Sequence, residues 1–366
     1  MDVLHEARFY EALPDGEVLC TLCPYRCRIR DGTGGACGVR YNCGGVLYTL
    51  IYDRVVARSV EPVEKKPLYH FYPASTAYSI ATVGCNLRCA YCQNWQISQW
   101  PKDHLPKRIA PNGKAEIQDC SRLAALQETV PGRHVTPQMI VQAAVNAGAT
   151  SIAYTYTEPT IFYELTYETA VLAREQGLKN IFVTSGYICE APLRKLATVL
   201  DAVDVDLKFF KEQSYRRVSR VRMQPILEAI RLYRELGVWL EVTTLVIPGI
   251  NDSDEELDNI AEFVHSVGAE IPWHVSQFHP AYKMLDRPIT PLKTLRRAAD
   301  SGRAAGLRYV YQGNAPGEDT QNTYCYNCNA LLIGRHGYLM RGNRILHGRC
   351  PDCGTSIDGI GMSADK

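Results

Sequence analysis

The sequence predicts an α/β protein built on parallel βα repeats, and two observations carry that prediction. Between about residues 78 and 311, short β-rich runs alternate with amphipathic helical stretches. Polar residues collect where those runs end, the strand end at which βα barrels place their active sites. A third observation concerns the flanks. Of fourteen cysteines, most fall into three clusters, at residues 20–43, 85–92 and 325–353, and only Cys120 and Cys189 stand alone as expected isolated thiols.

The elements follow in order. "AYSIATVGC" reads as a first strand that ends at a three-cysteine loop. "TPQMIVQAAVNAG" reads as a helix, with Thr136 as N-cap, Pro137 at its first position and Gly148 as its stop. "SIAYTYTEP" is the next strand, residues 160–176 a helix closed by Gly177, and "KNIFVTSGY" a strand. "APLRKLATVL" is helical, "AVDVDLKFF" extended, and "QPILEAIRLYRELG" a helix with Gly237 as its C-cap. "VWLEVTTLVIPG", "DSDEELDNIAEFVHSVG", "IPWHVSQFHP", "TPLKTLRRAADSGRAAG" and "LRYVYQG" continue the alternation, giving six βα repeats and one extra strand. Three modules are expected: a Cys-rich N-terminal module (1–50), the core (51–320, with an insertion at 99–134 read as a lid or a surface loop) and a C-terminal module with four metal-binding cysteines (321–366).

Bulk properties narrow the function. With 46% hydrophobic and 22% charged residues, the 366-residue chain suits a globular protein with a sizeable core. Its net charge of +1 supplies no field for nucleic acid or an anionic membrane. No uncharged apolar run approaches the roughly eighteen residues of a membrane span. The start "MDVLHEARFY" lacks a signal-peptide core, so a cytoplasmic location is expected. In a reducing compartment the cysteines point to metal binding rather than disulfides.

"GCNLRCAYCQNW" places Cys85, Cys89 and Cys92 within eight positions and supplies no fourth thiol beside them. Structural zinc and most protein-bound iron–sulfur clusters take four ligands, so three suggest a metal position left open. The alternative is a zinc knuckle completed by a distant residue.

The Cys-x3-Cys-x2-Cys spacing, with Tyr91 before the last cysteine, resembles the signature of the radical S-adenosylmethionine (SAM) superfamily. Over most of residues 78–313 the chain is similar to enzymes that activate pyruvate formate-lyase, and most of all to the radical SAM proteins of the AmmeMemoRadiSam system. The resemblance implies a partial (β/α)6 TIM-like barrel and a 4Fe–4S cluster held by the three thiolates. Its fourth iron would bind SAM, and an electron from the cluster would yield a 5′-deoxyadenosyl radical that abstracts hydrogen. "TYTEPT" stands at a Gly-Gly-Glu-Pro stretch, which implies that Glu158 accepts from the SAM ammonium, with Thr157 in place of a glycine. "VTSGY" aligns with a strand-end Thr-Asn-Gly and carries Ser185 in place of Asn. "DLK" implies Asp206 and Lys208 around the ribose and carboxylate, "VIPGIND" a turn beside the adenine, and "FHP" His279 near SAM. A solvated strand end is the plainer account of Asp206 and Lys208 taken alone. An electron donor such as flavodoxin or ferredoxin is implied as well.

Two cysteine groups remain. Cys325, Cys328, Cys350 and Cys353 form paired CxxC knuckles, a strong signal for a four-thiolate site holding zinc or a rubredoxin-type iron. Cys20, Cys23, Cys27 and Cys37 suit zinc or an auxiliary cluster, with buried free thiols as the alternative and Cys43 spare. His274 reads as a satisfied strand histidine. Three functions compete: generation of a glycyl radical on a partner protein, radical modification of a small molecule, peptide or side chain, and a non-catalytic zinc-binding interaction protein.

Overall fold

The computed structural model describes residues 4–109, 120–315 and 319–364. The fold class is α/β, the partial (β/α)6 type, and all six predicted repeats are present. Their strands are β1 (Thr76–Thr82), β2 (Ser151–Tyr154), β3 (Lys179–Thr184), β4 (Ala202–Asp206), β5 (Trp239–Val246) and β6 (Trp273–Gln277). The helices are α1 (Pro137–Asn146), α2 (Tyr163–Glu175), α3 (Glu190–Ala197), α4 (Gln224–Glu235), α5 (Asp254–Val267) and α6 (Leu292–Ala304). The extra strand is β7 (Val310–Gly313). The chain forms two compact units, 1–60 with 78–200 and 61–77 with 201–366.

In the first unit β1, β2 and β3 are neighbours in that order, and β2 pairs parallel with β3 from Ser151↔Lys179 to Tyr154↔Phe182. All four residues of β2 are buried, which fits a strand covered on both faces. The Thr136 hydroxyl caps α1 by accepting from the Met139 amide at 3.3 Å. Two small antiparallel sheets precede β1. One joins Tyr10–Ala12, Val18–Cys20 and Arg28–Ile29, the other His5–Glu6, Val46–Thr49 and Arg40–Cys43. Inside this region Arg40 is buried and paired with Glu164 of α2 at 2.6 and 2.8 Å.

One expectation is corrected here. Cys120 is not an isolated thiol and Cys43 is not spare, because the two form a disulfide across 77 residues. It ties the edge of the N-terminal sheet to the start of the helix Ser121–Glu128. That helix and another at Trp100–His104 belong to the predicted insertion, of which residues 110–119 lie outside the described residues.

In the second unit β4, β5, β6 and β7 pair parallel in chain order, in register from Ala202↔Trp239 to Ser276↔Gly313. Each buried Val, Ile or Leu along these strands contributes about 1.5–3 kcal/mol. α5 begins at Ser253, whose hydroxyl accepts from the Glu256 amide, and carries Asp254, Glu255 and Glu256 in its first turn to suit the helix dipole. β4 stops at Asp206, although the apolar pattern continues to Phe210. The Lys208 amide leaves the ladder and donates to the Tyr215 hydroxyl at 2.9 Å. A further three-stranded antiparallel sheet joins Thr323–Tyr324, Leu331–His336 and Leu339–Asn343.

Candidate active site

The three-cysteine loop starts directly after β1. Gly84 turns the chain with φ +104°, and a Cβ there would stand 2.7 Å from Ile161 Cδ1, so only glycine fits. The loop is then held by named bonds. The Leu87 amide donates to Cys85 Sγ at 3.2 Å, and the Cys92 amide to the Cys89 carbonyl at 3.2 Å. The buried Asn86 side chain donates to the Tyr187 carbonyl beyond β3, at 2.9 Å. Tyr91 is buried in the same loop.

The donor set fits a multi-iron cluster better than a zinc knuckle. Among the described residues, the sulfurs of Cys85, Cys89 and Cys92 belong to no group of three ligand atoms within 4.8 Å of one another. Thiolates on a single zinc sit closer than that, at roughly 3.8 Å for Zn–S bonds of about 2.3 Å in a tetrahedron. Burial pushes the Cys85 thiol up, Lys102 opposes the shift, and Glu158 adds to it. Iron binding must therefore displace a proton from Cys85.

Glu158 sits beyond β2, buried, and opens the short 3-10 turn Pro159–Phe162. Its Oε1 accepts from the Thr160 amide and hydroxyl at 3.1 and 2.7 Å and from the Thr184 hydroxyl at 2.7 Å. Its Oε2 accepts from the Ser185 amide and hydroxyl, at 2.9 and 2.6 Å. The carboxylate thus fastens the ends of β2 and β3 to each other. Its partners Thr160 and Thr184 were not singled out by the sequence, although they lie inside the quoted "TEPT" and "VTSGY". Asn86 and Lys102 were also missed. The Lys102 ammonium donates to the Leu87 carbonyl at 2.5 Å, and burial lowers its pKa while Cys85 opposes that shift.

In the second unit Asp206 and Lys208 pair at 2.7 Å at the end of β4. Asn251, from "VIPGIND", accepts from the Ile247 amide and donates to the carbonyls of Lys208 and Leu245, which sets the loop after β5. Burial pushes the neighbouring Asp204 carboxyl up, with Asp206 adding to the effect, while the Thr243 hydroxyl donates to it at 2.7 Å. His279 follows β6, with its Nε2 3.4 Å from the Asn314 carbonyl. His274 is satisfied, as expected, at 2.7 Å from Glu241.

The C-terminal cysteines form a compact set. The sulfurs of Cys325, Cys328, Cys350 and Cys353 all lie within 4.8 Å of one another, with two pairs at 3.6 Å. The two knuckles share one turn. Asn329 (φ +60°) donates its amide to the Cys325 carbonyl, and Gly354 (φ +73°) to that of Cys350. Cys325 and Cys350 anchor a small core with Leu332, Ile333, Ile345, Ile357 and Met362. The geometry suits one tetrahedral metal ion.

The model of the radical SAM superfamily matches residues 79–264. The uncharacterized protein MJ0808 of Methanocaldococcus jannaschii is 42% identical over 97% of this chain and 99% of its own. The GTP 3′,8-cyclase of Peptoclostridium acidaminophilum is 24% identical over 70% of this chain and 76% of its own. The pyruvate formate-lyase 1-activating enzyme of Escherichia coli K12 is 22% identical over 50% of this chain and 67% of its own.

Proposed function

The chain belongs to the radical SAM superfamily, and on that premise we propose that it cleaves SAM reductively and uses the 5′-deoxyadenosyl radical to abstract hydrogen from a substrate. The single observation that carries the reading is the loop after β1, which offers three thiols spaced too widely for one zinc ion. When bound, a 4Fe–4S cluster supplies the electron that SAM cleavage requires. Cys85, Cys89 and Cys92 would hold three of its irons and leave one open for SAM. Tyr91, buried in the same loop, would shield the cluster from water. Glu158 orients the SAM ammonium and, through Thr184 and Ser185, fixes the strand ends beside it. Asp206 and Lys208 would take the ribose and carboxylate, and His279 would contact the cofactor.

The finer assignment is activation of a glycyl-radical partner protein, supported by the likeness to the activating enzyme. The broader likeness to a GTP 3′,8-cyclase favours a second assignment, radical modification of a small molecule. In both, a cytoplasmic flavodoxin or ferredoxin provides electrons. The tail of residues 321–366 holds a structural zinc. Addition of SAM to the reduced, anaerobically reconstituted protein should alter the electron paramagnetic resonance spectrum of its cluster. An unchanged spectrum at saturating SAM would overturn the reading.

A further inference from the structure

The N-terminal cysteines contrast with the C-terminal set. Cys20, Cys23, Cys27 and Cys37 line one apolar cavity together with Leu22 and Arg40. Yet no three of their sulfurs fall within 4.8 Å of one another, whereas the four C-terminal sulfurs do. A single tetrahedral ion draws its thiolates to roughly 3.8 Å. A cubane cluster puts each thiolate on a separate iron and spreads them to roughly 6–7 Å.

The backbone is arranged for thiolates facing a common centre. Cys20 ends the strand Val18–Cys20 and donates its amide to the Cys27 carbonyl at 2.9 Å. Between them the turn closes with the Arg26 amide donating to the Cys23 carbonyl at 3.0 Å, Arg26 holding φ +44°. The Ala36 amide donates to Cys27 Sγ at 3.4 Å. Arg40 supplies the second, independent observation. It is 1% exposed, its terminal nitrogens are bound to Glu164 and to the Arg8 carbonyl, and its Nε has no hydrogen-bond partner among the described residues. Glu164 matches its charge, and the unpartnered Nε leaves one buried donor on a residue that lines the cavity, which suits an acceptor held there.

We propose that Cys20, Cys23, Cys27 and Cys37 ligate a second 4Fe–4S cluster, fully coordinated by protein and distinct from the SAM cluster. All four of its irons carry a thiolate, so it has no open position for SAM. The assignment goes beyond the proposed function and rests on the N-terminal residues alone; the expected sulfide counts also include the cluster of Cys85, Cys89 and Cys92.

Acid-labile sulfide is the decisive readout, because neither zinc nor a rubredoxin-type iron brings any. Anaerobically reconstituted wild-type protein should hold about eight sulfides per chain, and the triple variant Cys85→Ala/Cys89→Ala/Cys92→Ala about four. The double variant Cys23→Ser/Cys37→Ser should also hold about four. In the triple variant SAM should leave the resonance spectrum of the remaining reduced cluster unchanged. A wild-type count of about four sulfides, lost entirely in the triple variant, would overturn the proposal. That wild-type count needs no variant to fold. Two zinc ions per chain would instead assign the N-terminal set to zinc and overturn it equally. The loss of SAM binding by the wild type would sink the proposed function and leave these sulfide counts as they are.

Discussion

Glu158 Oε2 accepts from both the backbone amide and the hydroxyl of Ser185, at 2.9 and 2.6 Å, so one carboxylate oxygen grips the end of β3 twice. Residues 27 positions apart are thereby locked at adjacent strand ends. Glu158→Ala would leave the hydroxyls of Thr160, Thr184 and Ser185 without their shared acceptor. The cluster cysteines lie on a different loop, so iron and sulfide content should stay unchanged. SAM affinity, measured by equilibrium dialysis, should fall at least tenfold, since charge-assisted bonds contribute about 1.5–3 kcal/mol each. Unchanged affinity would show that Glu158 serves the fold alone.

Lys208 tests the second unit. Its ion pair with Asp206 is partly exposed and contributes little to stability. Lys208→Met should therefore leave the melting temperature nearly unchanged while weakening SAM binding about tenfold, by the loss of one charge-assisted contact. A large drop in melting temperature with normal binding would make the pair structural.

His70 sets a pH dependence. Its Nδ1 lies 2.7 Å from the Asp358 carbonyl, which can only accept, so Nδ1 carries the proton. Nε2 then accepts from the Tyr311 hydroxyl at 2.6 Å, and a second proton on Nε2 would force that hydroxyl to turn and accept instead. Burial lowers the pKa from 6.5 to about 4, with Glu241 partly opposing. The folded value lies below the unfolded one, so the unfolded chain binds the extra proton first. Stability is full above pH 6.5 and is lost as the pH falls toward 4. The loss amounts to about 3 kcal/mol at about 1.4 kcal/mol per unit. Burial favours neutral Glu241, but the hydrogen bonds from the His274 ring and the His70 amide hold its pKa low, so it also favours neutral pH. Melting curves at about pH 7 and about pH 5 should differ less in His70→Gln than in the wild type. Equal differences would rule out His70 as the source.

Cys350 tests the C-terminal metal. The segment 321–366 is small for a self-sufficient core, and Cys350 is 1% exposed within it. Cys350→Ser should remove about one zinc per chain and open this segment to protease while the βα repeats stay folded. Iron in place of zinc in anaerobically purified wild-type protein would identify a rubredoxin-type centre.

Much of this was legible in the sequence because it is local. The βα repeats repeat their periodicity every few residues, Thr136 and Ser253 announce their helices, and CxxC turns state their own geometry. The partners that complete the sites are not local. Cys43 and Cys120 are 77 residues apart, Arg40 and Glu164 are 124, and His70 meets Tyr311 across 241. Their chemistry arises only when strands from distant segments are laid side by side, and a buried ion pair leaves no period to read. The spread of the N-terminal sulfurs, as against the tight C-terminal four, is likewise a property of packing. The cysteine spacings alone admit zinc for either.

The most direct test of the central claim is 5′-deoxyadenosine formation under anaerobic conditions, with SAM and a strong reductant, by reconstituted wild-type protein beside Cys85→Ala, Cys89→Ala and Cys92→Ala. The account predicts product from the wild type and none from any variant, because a cluster missing one thiolate is lost or misligated. Product from all three variants, or none from wild-type protein carrying its full complement of iron and sulfide, would contradict it.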